Sequence, residues 1–179
     1  MSVMLGIRDK HMMTYGFSDW VLPSKDELNA MYVNLHLFSL GDFFSELVDI
    51  GYWSSTEADS SDSWKQYFYD GAQSSGPDAQ KSFTGRVRPC RAFIGEVGDY
   101  ALRDVGPAGG LIFLIVTGVK YYEAAPSDIS NSYIWSNIGS TTIGTTSADI
   151  GEGYDNTLEI IAQAGHTTSA AKLCNDLVL

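Results

Sequence analysis

The chain has few of the residues that mark catalytic, metal-binding or disulfide-rich proteins. Its three histidines lie in unrelated contexts, and neither a nucleophile elbow nor a complete phosphate-binding loop is present. Its two cysteines, Cys90 and Cys174, are too few for a disulfide-rich scaffold and are not spaced as a zinc site. We therefore expect no catalytic residues, no resident metal and no cofactor. From the sequence alone the two cysteines could pair or both be free.

Basic residues and long apolar runs are also scarce. The 11 Lys and Arg face 22 Asp and Glu, a net charge of -11, and a phosphate-binding surface needs the opposite excess. No apolar run approaches the roughly 20 residues that span a bilayer, and residues 1–14 lack the order of a signal peptide. We therefore expect a soluble chain with no membrane span and no nucleic-acid partner. Its 179 residues, 44% of them hydrophobic, can build one domain.

What the sequence does have is an aromatic and polar stretch from residue 56 to 83 with few aliphatic side chains. Aromatic rings beside Ser, Gln and Asp are typical of a recognition surface, although a plain solvated hairpin region has a similar composition. Alternation along a strand predicts that Tyr67 and Tyr69 share an exposed face and that Phe68 points inward. The predicted ligand-binding residues are Trp64, Gln66, Tyr67, Tyr69, Asp70 and Gln73.

The same stretch carries four acidic residues that could bind calcium. They lack the ordered spacing of a calcium loop, and solvated carboxylates on a polar loop are commoner, so we expect no metal there. The four are Glu57, Asp59, Asp62 and Asp70.

Local signals predict a mixed α and β chain. Ser24 and Glu27 form a capping-box pattern, which predicts a helix from residue 25 to about 36. Further helices are expected over 157–163 and 169–179, and strands over 65–70, 80–84 and 87–94, the last bulged or at an edge because of Pro89. The uniformly apolar 111–117 predicts a central strand. Residues 1–14 are interpreted as an arm of uncertain order, and 129–153 as a long ordered loop.

Several stretches together resemble one bacterial family, a domain of unknown function typified by the C-terminal domain of the Legionella collagen-like adhesin. The resemblance covers roughly residues 15–179. Its motifs are DWVLPSKDEL (19–28), YWSSTE (52–57), VRPCRAF (87–93), GPAGGLIF (106–113) and EAAP (123–126). It implies an α+β, C-type-lectin-like fold with two main helices and short helical turns around a small, twisted, mainly antiparallel sheet with long ordered loops.

The order of the motifs departs from the family pattern. Residues 15–95 correspond to its second half and residues 96–179 to its first, so the chain resembles a circular permutation or a cut across two tandem repeats. A closed monomer then requires Gly16 and Leu179 to lie close together, whereas a cut array would exchange halves between chains. The resemblance also implies a disulfide between Cys90 and Cys174, and with it an oxidising location.

The resulting functional prediction is a non-catalytic recognition domain of the adhesin or receptor-binding type. Its expected partners are a glycan or protein ligand on a cell surface, and a second copy or a repeat neighbour. Its expected location is extracellular, on a cell surface or on a phage particle. The calcium-lectin sugar motifs are absent, so calcium-dependent sugar binding is not implied. The alternatives are an enzyme of the formylglycine-generating type and a structural assembly domain.

Overall fold

The ends of the described chain meet. The computed structural model describes residues 16–46 and 50–179, so the predicted arm lies outside the described residues. Phe17 and Leu179 exchange both backbone hydrogen bonds, at 2.5 and 3.0 Å. Gly16 permits this approach, because an added Cβ would lie 2.5 Å from Val178. This is the closeness of Gly16 and Leu179 that a closed monomer requires.

The fold is α+β, with three α-helices and two sheets among the described residues. The helices are α1 (Lys25–Asn34), α2 (Gly153–Ala162) and α3 (Ala170–Asn175), and a 3-10 turn covers His36–Phe38. The strands are β1 (Tyr52–Glu57), β2 (Ser63–Gln66), β3 (Gln73–Ser74), β4 (Thr84–Val87), β5 (Cys90–Ile94), β6 (Leu111–Val116), β7 (Lys120–Ala124) and β8 (Ser130–Ile134). One sheet has the order β3-β2-β1-β4-β8 and the other β5-β7-β6.

The capping box predicted at the start of α1 is present. The Ser24 hydroxyl accepts from the Glu27 amide at 3.2 Å, and the Glu27 carboxylate accepts from the Ser24 amide at 2.8 Å. The helix begins at Lys25 as predicted, ends at Asn34, and continues into the 3-10 turn. Leu28 and Met31 face the interior.

Pro89 has a larger effect than the predicted bulge. It lacks an N–H and cannot continue a ladder, and the single strand predicted over 87–94 is instead divided into β4 and β5, which lie in different sheets. Cys90, just after the break, pairs with Val21 in an isolated bridge. The chain thereby passes from the five-stranded sheet to the three-stranded sheet next to α1.

Other sequence expectations were wrong in position. β6 lies at an edge and β7 is the central strand of its sheet, because β5 and β6 both pair with β7. The strand predicted over 80–84 is reduced to an isolated bridge between Asp62 and Gln80, and β8 lies within the predicted loop 129–153. Helix α2 begins four residues early, at Gly153, and α3 ends at Asn175.

Large aromatic side chains fill the core. Trp20 and Trp53, both predicted to be core residues, are fully buried, as is Trp135. The indole N–H of Trp53 donates to the Tyr133 carbonyl at 2.8 Å, and that of Trp135 to the Ser54 carbonyl at 2.7 Å. Both polar groups are thus satisfied inside the core, which anchors β8 and the chain after it to β1.

A buried ion pair holds the long loop that follows β8. The Lys81 ammonium lies 2.5 Å from the Glu57 carboxylate, and the two side chains are 0% and 4% exposed. Glu57 also accepts from the amides of Ile143 and Gly144, and Lys81 donates to the Thr141 carbonyl at 3.2 Å. The loop therefore encloses both charges with its own backbone.

The structure has Cys90 and Cys174 as free thiols, which corrects the disulfide that the resemblance implied. Both are buried, and burial raises the pKa of both thiols well above the ordinary value. A protonated thiol is a poor nucleophile and oxidises slowly. The cysteines act here as small core side chains.

Substitution of Lys81 by Met should lower the free energy of unfolding by about 3 kcal/mol, because the Glu57 carboxylate would remain buried without its counter-ion. Urea denaturation measures this change. The matched control is Lys172→Met, which removes a half-exposed pair with Asp176 and should cost less than about 0.5 kcal/mol. Equal changes in the two variants would contradict the structural role given to the buried pair.

Alkylation of unreduced protein in denaturant should label both Cys90 and Cys174, since the structure holds them as free thiols. Mass spectrometry counts the labels. The native protein should react slowly at both positions because both side chains are buried and protonated. If neither cysteine is labelled in denaturant, the two are joined by the disulfide that the resemblance implied.

Candidate ligand-binding site

Three of the predicted binding residues gather against the start of α1. The Lys25 ammonium lies 4.3 Å from the ring centroid of Trp64. The Gln66 amide donates to the Asn29 side chain at 2.9 Å, and the Gln73 amide donates to the Lys25 carbonyl at 3.0 Å. Gln66 is fully buried and accepts a hydrogen bond from the Gln73 amide at 3.3 Å. We call the outer part, Lys25, Asn29, Trp64 and Gln73, the strand–helix surface.

Tyr67 was predicted to be exposed and is buried, with 7% of its surface accessible. Its hydroxyl donates to the Asp78 carboxylate, and its ring lies 5.3 Å from the Lys65 ammonium. The predicted alternation holds within β2, where Trp64 and Gln66 share one face. It fails beyond Gln66 because the strand ends there, and the following turn buries both Tyr67 and Phe68.

The remaining two predicted residues lie away from the strand–helix surface. Tyr69 is 40% exposed and its ring lies 5.7 Å from that of Tyr67, on the Asp78 side. Asp70 is exposed and accepts from the Ala72 amide at 2.9 Å, which closes the turn between β2 and β3. The structure thus brings together Trp64, Gln66 and Gln73 and separates them from Tyr67 and Tyr69.

The acidic residues considered for calcium do not converge. Glu57 is paired with Lys81, and Asp59 accepts from the amides of Ser61 and Asp62 in its own turn. Those hydrogen bonds hold the pKa of Asp59 below its usual range. In the part of the chain that the structure describes, no group of three or more His, Cys, Asp or Glu could hold a metal ion.

A cavity of about 340 Å³ lies between β5 and β7 on one side and the beginnings of α1 and α2 on the other. Val21 and Ala92 supply apolar wall, and Lys120, Tyr122, Tyr154 and Asp155 supply polar groups. This volume is within the range of small-molecule sites. None of these residues was predicted, because they come from four elements that are distant in sequence.

Glu27 lines this cavity, and its carboxylate already accepts hydrogen bonds that stabilise the fold. Its carboxylate accepts from the Ser24 amide and, at 3.0 Å, from the Gly151 amide. Burial raises the pKa of Glu27, and Lys120 together with these hydrogen bonds opposes the rise. The residue that caps α1 therefore also fixes the segment before α2.

Cys90 is the other reactive group in the cavity wall. Its sulfur lies 3.9 Å from a Glu27 carboxylate oxygen, and burial, the Glu27 charge and the Cys174 thiol raise its pKa. A cysteine nucleophile needs the opposite shift, toward the thiolate. The Glu27 and Cys90 pair is therefore not arranged as an activated nucleophile and its base.

No family model, curated protein or solved structure matches the chain. No helix among residues 16–46 and 50–179 combines the length and apolar character needed to cross a bilayer.

Glu27→Gln should change how stability depends on pH. The folded-state pKa of Glu27 is raised above the unfolded value, so the proton binds the folded state more tightly. The stability that this proton contributes is fully present below the unfolded pKa of about 4.3 and is lost as pH rises through the folded pKa. The free energy of unfolding of the wild type should therefore fall relative to that of Glu27→Gln as pH rises.

Urea denaturation at intervals from about pH 4 to about pH 8 measures this difference. Asp26→Asn, which removes an exposed carboxylate from the same helical turn, controls for loss of a first-turn charge. A wild-type to Glu27→Gln difference that stays constant across the range would contradict the raised pKa.

Proposed function

We propose that this chain is a non-catalytic ligand-recognition domain with a C-type-lectin-like fold, of the adhesin or receptor-binding type, which binds a glycan or protein on a cell surface. The observation that carries the proposal is the strand–helix surface. There a half-buried Trp64 is held beside the Lys25 ammonium, next to an exposed Asn29 and a half-buried Gln73. A fixed aromatic ring with amide and charged groups around it is suited to both ligand classes.

The surface is supported from beneath, which reduces the entropy lost on binding. β2 lies between β1 and β3, and Lys65 and Gln66 pair with Ser74 and Gln73 across the ladder. The buried Gln66 links this ladder to α1 through Asn29. Trp64 lies where the pairing of β2 with β1 is irregular, and there the Ser54 hydroxyl donates to the Trp64 carbonyl at 2.8 Å.

The meeting of the chain ends supports the lectin-like fold proposal. A permuted chain must close where the family pattern is continuous, and the backbone pairing of Phe17 with Leu179 supports such a closure. The Pro89 break, which places β4 and β5 in different sheets, is compatible with the small twisted sheets of that fold.

The enzyme alternative receives less support from the geometry. The cavity wall that brings Cys90 and Glu27 together keeps the thiol protonated and the carboxylate hydrogen-bonded to backbone amides. Catalysis by a nucleophile requires a group poised to react.

Trp64→Ala should weaken ligand binding at least tenfold while the protein stays folded. A central aromatic anchor carries a large share of binding energy, and Trp64 is partly exposed to solvent rather than in the core. A combined array of glycans and cell-surface proteins identifies the ligand, and surface plasmon resonance then measures its affinity for wild type and variant.

Tyr154→Ala is the matched control, because Tyr154 is an exposed aromatic residue on α2 and lies outside the strand–helix surface. It should leave the affinity for the array ligand unchanged. Loss of binding in Tyr154→Ala with full binding in Trp64→Ala would move the recognition surface to the α2 side and contradict the assignment made here.

A further inference from the structure

The 340 Å³ cavity beside α1 and α2 contains polar groups that the fold leaves unused. Lys120 makes no ion pair with any described residue, and its ammonium lies 5.1 Å from the ring centroid of Tyr122. Tyr122 is 2% exposed, yet its hydroxyl has no hydrogen-bond partner among the described residues. A cation and a hydroxyl donor therefore lie side by side on the β7 wall.

The α2 wall carries a carboxylate and an aromatic ring, in contrast to the ammonium and the hydroxyl on the β7 wall. Asp155 lies in the first turn of α2, is exposed, and has no hydrogen bond or ion pair within the described residues. Tyr154 precedes it and is 55% exposed. An unpaired carboxylate beside an open aromatic face is an arrangement that binds an ammonium group.

The other charges that line the cavity are already paired. Asp19 makes two hydrogen bonds with the Arg91 guanidinium, at 2.7 and 3.0 Å, and Arg91 also contacts Glu123. The Glu27 carboxylate is held by backbone amides. The cavity thus offers a ligand one cation that makes no salt bridge, Lys120, whose charge also acts on Glu27, and one anion without a salt bridge, Asp155.

We propose that this cavity binds a small zwitterion of the α-amino acid class. The ligand carboxylate meets the Lys120 ammonium and accepts from the Tyr122 hydroxyl. The ligand ammonium meets Asp155 and the face of Tyr154. Val21 and Ala92 give the ligand side chain an apolar wall, and the volume suits a molecule of this size.

The balance of charge favours a zwitterion over a simple ion. A net anion would approach Asp19, Glu27 and Asp155 in a protein of net charge -11. A net cation would approach the unpaired Lys120. A ligand with both charges pairs each free group with its opposite and leaves no new unpaired charge in the cavity.

This site goes beyond the proposed recognition of a glycan or protein, because it shares no residue with the strand–helix surface. The segment before α2 separates them where it crosses the first turn of α1: Asp26 donates its amide to the Ala148 carbonyl at 3.0 Å. Either site can therefore fail without the other.

The test uses the full chain. The common L-amino acids are compared by thermal shift, and the one that stabilises most is titrated by calorimetry together with its α-amide, which lacks the carboxylate, and its N-acetyl derivative, which lacks the ammonium. We expect a Kd below about 1 mM for the amino acid and at least tenfold weaker binding for each derivative. D-glucose, of similar size and uncharged, should not compete with the amino acid.

Two variants assign the contacts. Lys120→Met should weaken amino acid binding at least tenfold and should remove the difference between the amino acid and its α-amide. Asp155→Asn should also weaken amino acid binding at least tenfold, and it should remove the difference between the amino acid and its N-acetyl derivative. Trp64→Ala should leave all these affinities unchanged. If Lys120→Met fails to fold by circular dichroism, the comparison of derivatives on the wild type decides the carboxylate contact.

Three outcomes would overturn the proposal. One is no binding of any amino acid in calorimetry. Another is equal affinity of the amino acid and its two derivatives, which excludes charge recognition. The third is binding of glucose that competes with the amino acid and that Trp64→Ala leaves intact, which assigns the cavity to an uncharged ligand.

Discussion

Three buried glutamates hold the loops of this protein, and each does so by accepting backbone amide hydrogens. Glu27 accepts from Gly151, Glu57 from Ile143 and Gly144, and Glu123 from Ala108 and Gly110. A buried carboxylate is costly unless its oxygens are satisfied. The loops are therefore fixed because their amides supply those hydrogen bonds, and the two long irregular segments, 101–110 and 135–152, are ordered without forming sheet.

The glycines of the GPAGG motif follow from this constraint. A Cβ added at Gly106 would lie 2.5 Å from the Glu123 carboxylate carbon, and one added at Gly110 would lie 1.8 Å from the Ala124 carbonyl oxygen. The loop resembles a phosphate-binding loop because it also wraps an anion, but the anion is a side chain of the protein. Arg91 completes the charge balance from the neighbouring strand.

Local signals were predictable from the sequence and long-range placement was not. The Ser24 and Glu27 capping box and the effect of Pro89 on its strand depend on neighbours in the chain. The edge position of β6 depends on strand order, which the apolar run 111–116 does not encode. Tyr67 was misplaced because β2 ends at Gln66, and alternation says nothing after a strand has ended. The cavity combines one to three residues from each of β5, β7, α1 and α2, so no continuous motif marks it.

The first and second parts of the chain, residues 16–95 and 96–179, are tightly joined in the sheets and in the interior. Two antiparallel ladders, β4 with β8 and β5 with β7, join residues 16–95 to residues 96–179. Hydrogen bonds between a side chain and the backbone add to them: the Leu22 amide donates to Thr157, the Trp135 indole to the Ser54 carbonyl, and the Gly151 amide to Glu27. Phe17 and Leu179 also exchange both backbone hydrogen bonds. The ladders fix which strands meet, and the buried carboxylates and tryptophans determine how the two parts pack against each other.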